Sequence, residues 1–209
     1  MFKIILLSPA LLFLSCKEAK ETANSTPPAQ SLPKNPTEEK PEYPAFVAPE
    51  GASKGEALAL NVEYFMEAYN KGNADLLVES THSSNFTHSN MGMDNDAFKK
   101  KVKQGIQRIM KLGIKLDSLK ASIPSKFYSD GVEEICFIPT TYILNLNDKK
   151  FDVQTFTLAA GSEKSGWKFI DGAGLSKNPD RIYKLFPNLE KNITLPPHKL
   201  TFIEPSKTK

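Results

Sequence analysis

Asp171 closes a short apolar run, Trp167-Lys168-Phe169-Ile170, and is followed by Gly172. A carboxylate at the end of a strand, turned into an apolar cavity, gains proton affinity through desolvation and becomes a usable general base. An Asp-Gly pair is also ordinary turn chemistry. The three histidines are His82, His88 and His198. We assign His88 to Asp171 as its partner in proton transfer, because neutral imidazole exchanges protons near pH 7. His82 and His88 lie six residues apart in a polar stretch, but no third ligand stands at a spacing that suits zinc, so no metal is expected. Tyr64, Tyr128 and Tyr142 would line a pocket with hydroxyls or form half-buried core. Cys136 sits within Ile135-Cys136-Phe137-Ile138, the setting of a small buried hydrophobe rather than of a nucleophile. Gly172-Ala173-Gly174 is too short for a phosphate cradle and is not read as opening a helix. No Gly-x-Ser-x-Gly elbow occurs either, so no cofactor is implied.

The elements that must position these groups follow from periodicity. Val132 to Leu146 is rich in Ile, Phe, Tyr and Thr, and Lys150 to Ala160 and Trp167 to Asp171 are similar. The short turns at 147–149 and 161–166 make the three an antiparallel meander. Pro139 has no N–H for the ladder and implies a bulge or an edge in the first strand. Ser53 to Asn70 reads as a helix: Ser53 and Glu56 form a capping box, and Leu58, Val62, Phe65, Met66 and Tyr69 fall on one face. Gly72 ends it, and Asn73 caps a short helix over Ala74 to Glu79. Asp94 is read as the cap of a third helix reaching Leu112, with Phe98, Val102, Ile106, Ile109 and Met110 as its apolar stripe. Its Lys and Arg residues read as a solvated face, with contact to anionic lipid as the functional alternative. Ile114 to Ile123 is a strand with a slip at Asp117-Ser118. Ala173 to Ser176 reads as a loop, Asn178-Pro179-Asp180 opens a short helix stopped by Pro187, and the rest is an extended tail. Leu200 to Ile203 is expected to lie across the sheet or a groove.

The first residues carry a second chemistry. Met1 to Ser15 reads as a signal peptide, with Lys3 in the basic region and Ile4 to Leu14 as an apolar core too short to span a bilayer. Phe13-Leu14-Ser15-Cys16 resembles a bacterial lipobox, which implies that Cys16 is lipidated and becomes the new N-terminus. Residues 16–52 are dense in Pro, Lys and Glu and too poor in apolar residues to offset the entropy of ordering, so they read as a disordered tether. Lys17 is not the Asp that marks inner-membrane retention, which points to the outer membrane. The 209 residues and net charge of +3 suit one domain on a tether. With 27 basic residues against 24 acidic ones, the overall balance is too even to imply a nucleic-acid partner, and none is expected.

Two stretches carry a family resemblance. They are Val62-Glu63-Tyr64-Phe65-Met66-Glu67-Ala68-Tyr69-Asn70-Lys71-Gly72-Asn73-Ala74-Asp75-Leu76-Leu77 and Gly166-Trp167-Lys168-Phe169-Ile170-Asp171. With the order of helices and strands, they make residues 53–172 resemble the NTF2-like (SnoaL-like) domain. The resemblance implies an α+β cone, a curved antiparallel sheet wrapped around helices, with residues 173–209 as a C-terminal helix and extended tail. That family hosts binders and enzymes alike, so the fold alone names no activity. The expectation is a non-catalytic module for a small apolar ligand or an envelope protein, held at the membrane through Cys16. The alternative is a cone enzyme of the isomerase or dehydratase type, using Asp171 and His88.

Overall fold

The computed structural model describes residues 47–84, 95–147, 149–162 and 164–204, apart from the side chains at 95, 98, 99, 102 and 110. The signal peptide, Cys16, most of the expected tether, His88 and Asp94 therefore lie outside the described residues, as do three side chains of the third helix's expected stripe.

The α+β class expected from the sequence holds. Eleven elements are described: α1 (Lys54–Lys71), α2 (Ala74–Glu79), α3 (Asn95–Lys111), β1 (Lys115–Ala121), β2 (Phe127–Ser129), β3 (Glu134–Leu146), β4 (Lys149–Ser162), β5 (Gly166–Asp171), α4 (Gly172–Lys177), α5 (Arg181–Leu185) and β6 (Lys199–Ile203). The six strands form one antiparallel sheet. Its spine is the β3–β4 hairpin, in unbroken register from Glu134↔Gly161 to Leu146↔Lys149. Asn147 takes a φ of 53° at the hairpin end, a left-handed turn conformation that Asn tolerates.

Each long strand shares its outer edge between two short ones. On β3, β2 pairs with residues 134–136 and β1 with 140–145. On β4, β6 pairs with 150–154 and β5 with 157–162. Pro139 falls in the break between β2 and β1. Its carbonyl accepts a hydrogen bond from Ser122 N at 2.8 Å on that outer side. In an antiparallel strand the N and C=O of one residue point the same way, so the missing N–H also faces the break. Of the bulge or edge expected at Pro139, the edge is what occurs: Pro139 pairs with Phe156 in continuous register, and its outer side falls where neither β2 nor β1 pairs. The slip expected in β1 is present: register shifts between Asp117 and Lys120, and Ser118 has a φ of 52°.

Both faces of the sheet are covered. On one, Leu58, Val62, Phe65 and Met66 of α1, Leu77 of α2 and Ile106 of α3 pack against Cys136, Ile138, Tyr142, Val153 and Phe169. Strand alternation sends the neighbours Ile135, Phe137, Phe156, Leu158 and Ile170 to the other face, where Leu175, Ile182, Leu185 and Phe186 meet them. Each fully buried Leu, Ile or Phe contributes about 1.5–3 kcal/mol relative to exposure.

The helices begin where their caps dictate. Ser53 accepts from Glu56 N, and Glu56 reaches back to Ser53 N at 2.8 Å. Gly72, at φ 68°, ends α1. Asn73 Oδ1 accepts from Leu76 N at 3.0 Å and starts α2. The loop expected at 173–176 is instead α4, so the Gly172-Ala173-Gly174 run does open a helix. Gly172 lies against the backbone and ring of Phe156, where a Cβ would find no room. Close approach to β4 therefore requires glycine there, a constraint that local propensity cannot register. The residues after 172, read as a helix and an extended tail, supply two helices and the sixth strand.

Candidate functional site

The face of the sheet covered by α1, α2 and α3 carries a polar row within its apolar surface. Thr157 pairs with Asp171 across β4 and β5, and Thr140 pairs with Thr155 across β3 and β4. Tyr142 follows two residues after Thr140 on the same face. Thr140, Tyr142, Thr155 and Thr157 are each at most 5 % exposed. Thr140 Oγ1 is satisfied by Ile138 O at 3.0 Å. His198, just before β6, places Nδ1 3.1 Å from Thr155 Oγ1.

Asp171 is the charge of this cluster. It is half-buried, and Oδ1 accepts from Ala173 N at 3.3 Å, so the carboxylate caps α4. Its field reaches three titratable groups. Burial, and then the Asp171 carboxylate, push the Tyr142 hydroxyl above its ordinary range. Tyr69 of α1 is shifted the same way by burial first, then by Asp171 and Tyr142. Part of the Tyr69 side chain meets solvent, but its hydroxyl end is desolvated. Both phenols thus remain protonated hydrogen-bond donors at neutral pH. His198 is pulled below its ordinary value, chiefly by burial; Asp171 opposes that shift and Lys177 adds to it. A neutral imidazole, protonated phenols and a carboxylate can orient a polar ligand group or exchange a proton with it.

The residues singled out from sequence are distributed unevenly about this cluster. Asp171 and Tyr142 belong to it. Tyr128 packs on the opposite face, edge-on to Phe137 at 5.6 Å, with Lys126 Nζ 4.3 Å above its ring. Tyr64 is half-buried on α1, outside the apolar cluster formed by Leu58, Val62, Phe65 and Met66. His82 is engaged elsewhere. Its Nε2 is 2.9 Å from Glu133, its Nδ1 2.7 Å from Ser84 Oγ, and its ring 5.4 Å from that of Phe186. Because Ser84 N also points at Nδ1, at 3.2 Å, Nδ1 accepts and Nε2–H donates to the Glu133 carboxylate. That arrangement clamps the segment after α2 to the β2–β3 connection.

Sequence reasoning missed Tyr69, Thr155, Thr157 and His198. Tyr69 was counted only as part of an apolar stripe. The alternation of Val153, Thr155, Thr157 and Ala159 along β4 was the available signal for the threonines. Cys136 is fully buried and free, and burial pushes its thiol up to about 12, which keeps it protonated and inert. Among the described residues, no group of three His, Cys, Asp or Glu side chains is placed to hold a metal ion, and no helix is long and apolar enough to cross a membrane. No protein-family model, curated protein or solved structure matches the chain.

Proposed function

We propose that the chain is an envelope lipoprotein, tied to the outer membrane through lipid on Cys16, whose domain is NTF2-like and works as a non-catalytic binding module. The ligand is a small, mostly apolar molecule with one hydrogen-bonding or cationic group. One observation carries the binding reading: Thr140, Tyr142, Thr155, Thr157 and Asp171 share a largely apolar face of the sheet, His198 meets Thr155 there at 3.1 Å, and Asp171 bears electrostatically on Tyr69 and Tyr142. A few placed polar groups in an apolar surface are the usual make-up of a small-molecule site. The lipobox-like Phe13-Leu14-Ser15-Cys16 supports the anchor. The order of elements and the six-stranded antiparallel sheet support the family.

A second reading rests on His198, which lies 3.1 Å from Thr155 on the face where Asp171 pairs with Thr157. In it the domain is a cone enzyme in which Asp171 removes a proton and His198 takes the place expected for His88. The binding reading is preferred because Asp171 already serves as the cap of α4, which fixes it in a structural role.

The test is native mass spectrometry of protein purified from its own envelope. A bound small molecule is expected in the wild type and lost in Asp171→Asn with Tyr142→Phe, since each unmade buried hydrogen bond costs about 1–3 kcal/mol. Recovery of the molecule chemically altered by the wild type, and unaltered by the variant, would replace the module with the enzyme. Metabolic labelling with a fatty acid tests the anchor: the wild type takes the label and Cys16→Ser does not.

A further inference from the structure

The positive charge of this chain has one address. Residues 97–116 hold seven of the 27 Lys and Arg residues and none of the 24 Asp and Glu residues. The rest of the sequence has more acid than base, so the net +3 arises entirely from α3 and Lys115, the first residue of β1. Within α3 the charges are sorted. Ile106 and Ile109 are buried against the core. On the opposite side Lys100, Gln104, Arg108 and Lys111, spaced by 4, 4 and 3 residues, are all exposed and form one outward stripe. Lys103, at the flank, is tied to Asp75 at 3.2 Å. Arg108 and Lys111 suit the negative end of the helix dipole, but Lys100, near the other end, has no such reason to be there. The stripe ends at Leu112, which is 50 % exposed, and Lys115 follows it, also exposed.

A basic stripe bordered by an exposed leucine matches a surface that offers negative headgroups above an apolar layer. We infer that the outward face of α3 docks on an anionic phospholipid bilayer, with Lys100, Arg108 and Lys111 on headgroup phosphates and Leu112 at the acyl boundary. This contact is separate from the proposed lipid on Cys16. The anchor would hold the chain near a membrane of any headgroup, whereas the α3 face distinguishes anionic from zwitterionic lipid and sets which side of the domain faces it. A free polyanion or a nucleic acid would satisfy the charges but leave Leu112 unmatched.

The experiment uses the full chain mixed with vesicles of phosphatidylcholine, with or without phosphatidylglycerol, and lysine acetylation read by mass spectrometry. Lys100 and Lys111 are expected to be protected on the phosphatidylglycerol vesicles alone. Lys149 and Lys199, on the β-hairpin end and β6, should react equally on both, and the protection should fade with salt. Lys100→Gln, Arg108→Gln and Lys111→Gln together should reduce the preference for anionic vesicles roughly a hundredfold, at about fivefold per basic residue. Equal labelling on the two vesicle types would overturn the inference. So would the same protection produced by inorganic phosphate or heparin without vesicles. Because only the difference between vesicle types is read, failure of the Cys16 anchor leaves the result interpretable.

Discussion

At the scale of the residue, His198 is the group whose titration should be felt by the fold. Its imidazole is held below its ordinary value by burial and by Lys177, against the pull of Asp171. The neutral form is therefore favoured in the folded protein, and the unfolded chain takes up a proton first as pH falls. Stability is full above the ordinary histidine value of about 6.5 and declines as pH drops through it toward the folded value. Urea midpoints measured between about pH 7 and pH 5 should fall in the wild type and fall less in His198→Asn, which keeps a polar partner for Thr155. Equal slopes would remove His198 from the cluster. Cys136 gives the converse case: its thiol, pushed up to about 12, should resist iodoacetamide in the native protein and react on denaturation. At this scale the sequence disclosed what strand alternation controls. Asp171 at a strand end and Tyr142 on the inward face could be read from spacing. His198 could not, since Thr155 lies 43 residues away and only the pairing of β6 brings them together.

At the scale of the element, caps and periods were legible and close approaches were not. Ser53, Gly72 and Asn73 announce α1 and α2, because capping needs only neighbours three or four residues off. α4 escaped detection because two glycines in six residues argue against a helix, while the reasons for it lie in Phe156 and in the Asp171 cap. Pro139 was read as a bulge or an edge in β3; the edge is there, but the gap between β2 and β1 that makes it belongs to other strands. These causes make a paired prediction. Asp171→Asn keeps a capping oxygen and should leave the thermal midpoint nearly unchanged, whereas Asp171→Ala should cost about 1 kcal/mol. Ligand loss in Asp171→Asn without loss of stability would then report binding rather than folding. Gly172→Ala should cost about 3 kcal/mol or more, since the obstruction includes Phe156 backbone, which cannot turn aside. A small loss there would mean that α4 can move off β4.

At the scale of the whole molecule, the sequence revealed the class of fold because its commonest contacts are local: hairpins between successive strands, and helices with one apolar side. Its last strand was hidden, since Leu200 to Ile203 was expected to lie across the sheet or a groove rather than to pair along its edge. β6 returns from the C-terminus to pair with residues 150–154 of β4, placing Leu200 opposite Val153 and Phe202 opposite Phe151, with the two rings 5.5 Å apart. Its pairing also brings His198, the residue just before it, to the polar cluster, so this segment completes the site. A chain ending at Pro197 should therefore fail in two separable ways. It should lose stability by at least about 2 kcal/mol, from the exposure of Val153 and Phe151 and the loss of five ladder pairs, and its urea midpoint should fall. It should also bind the co-purifying molecule more weakly than His198→Asn does, because the uncovered edge admits water beside Thr155. Should the shortened chain unfold at the wild-type midpoint and retain that molecule, β6 would be an ornament on the sheet, and the site would have to be rebuilt from Asp171, Tyr69 and Tyr142 alone.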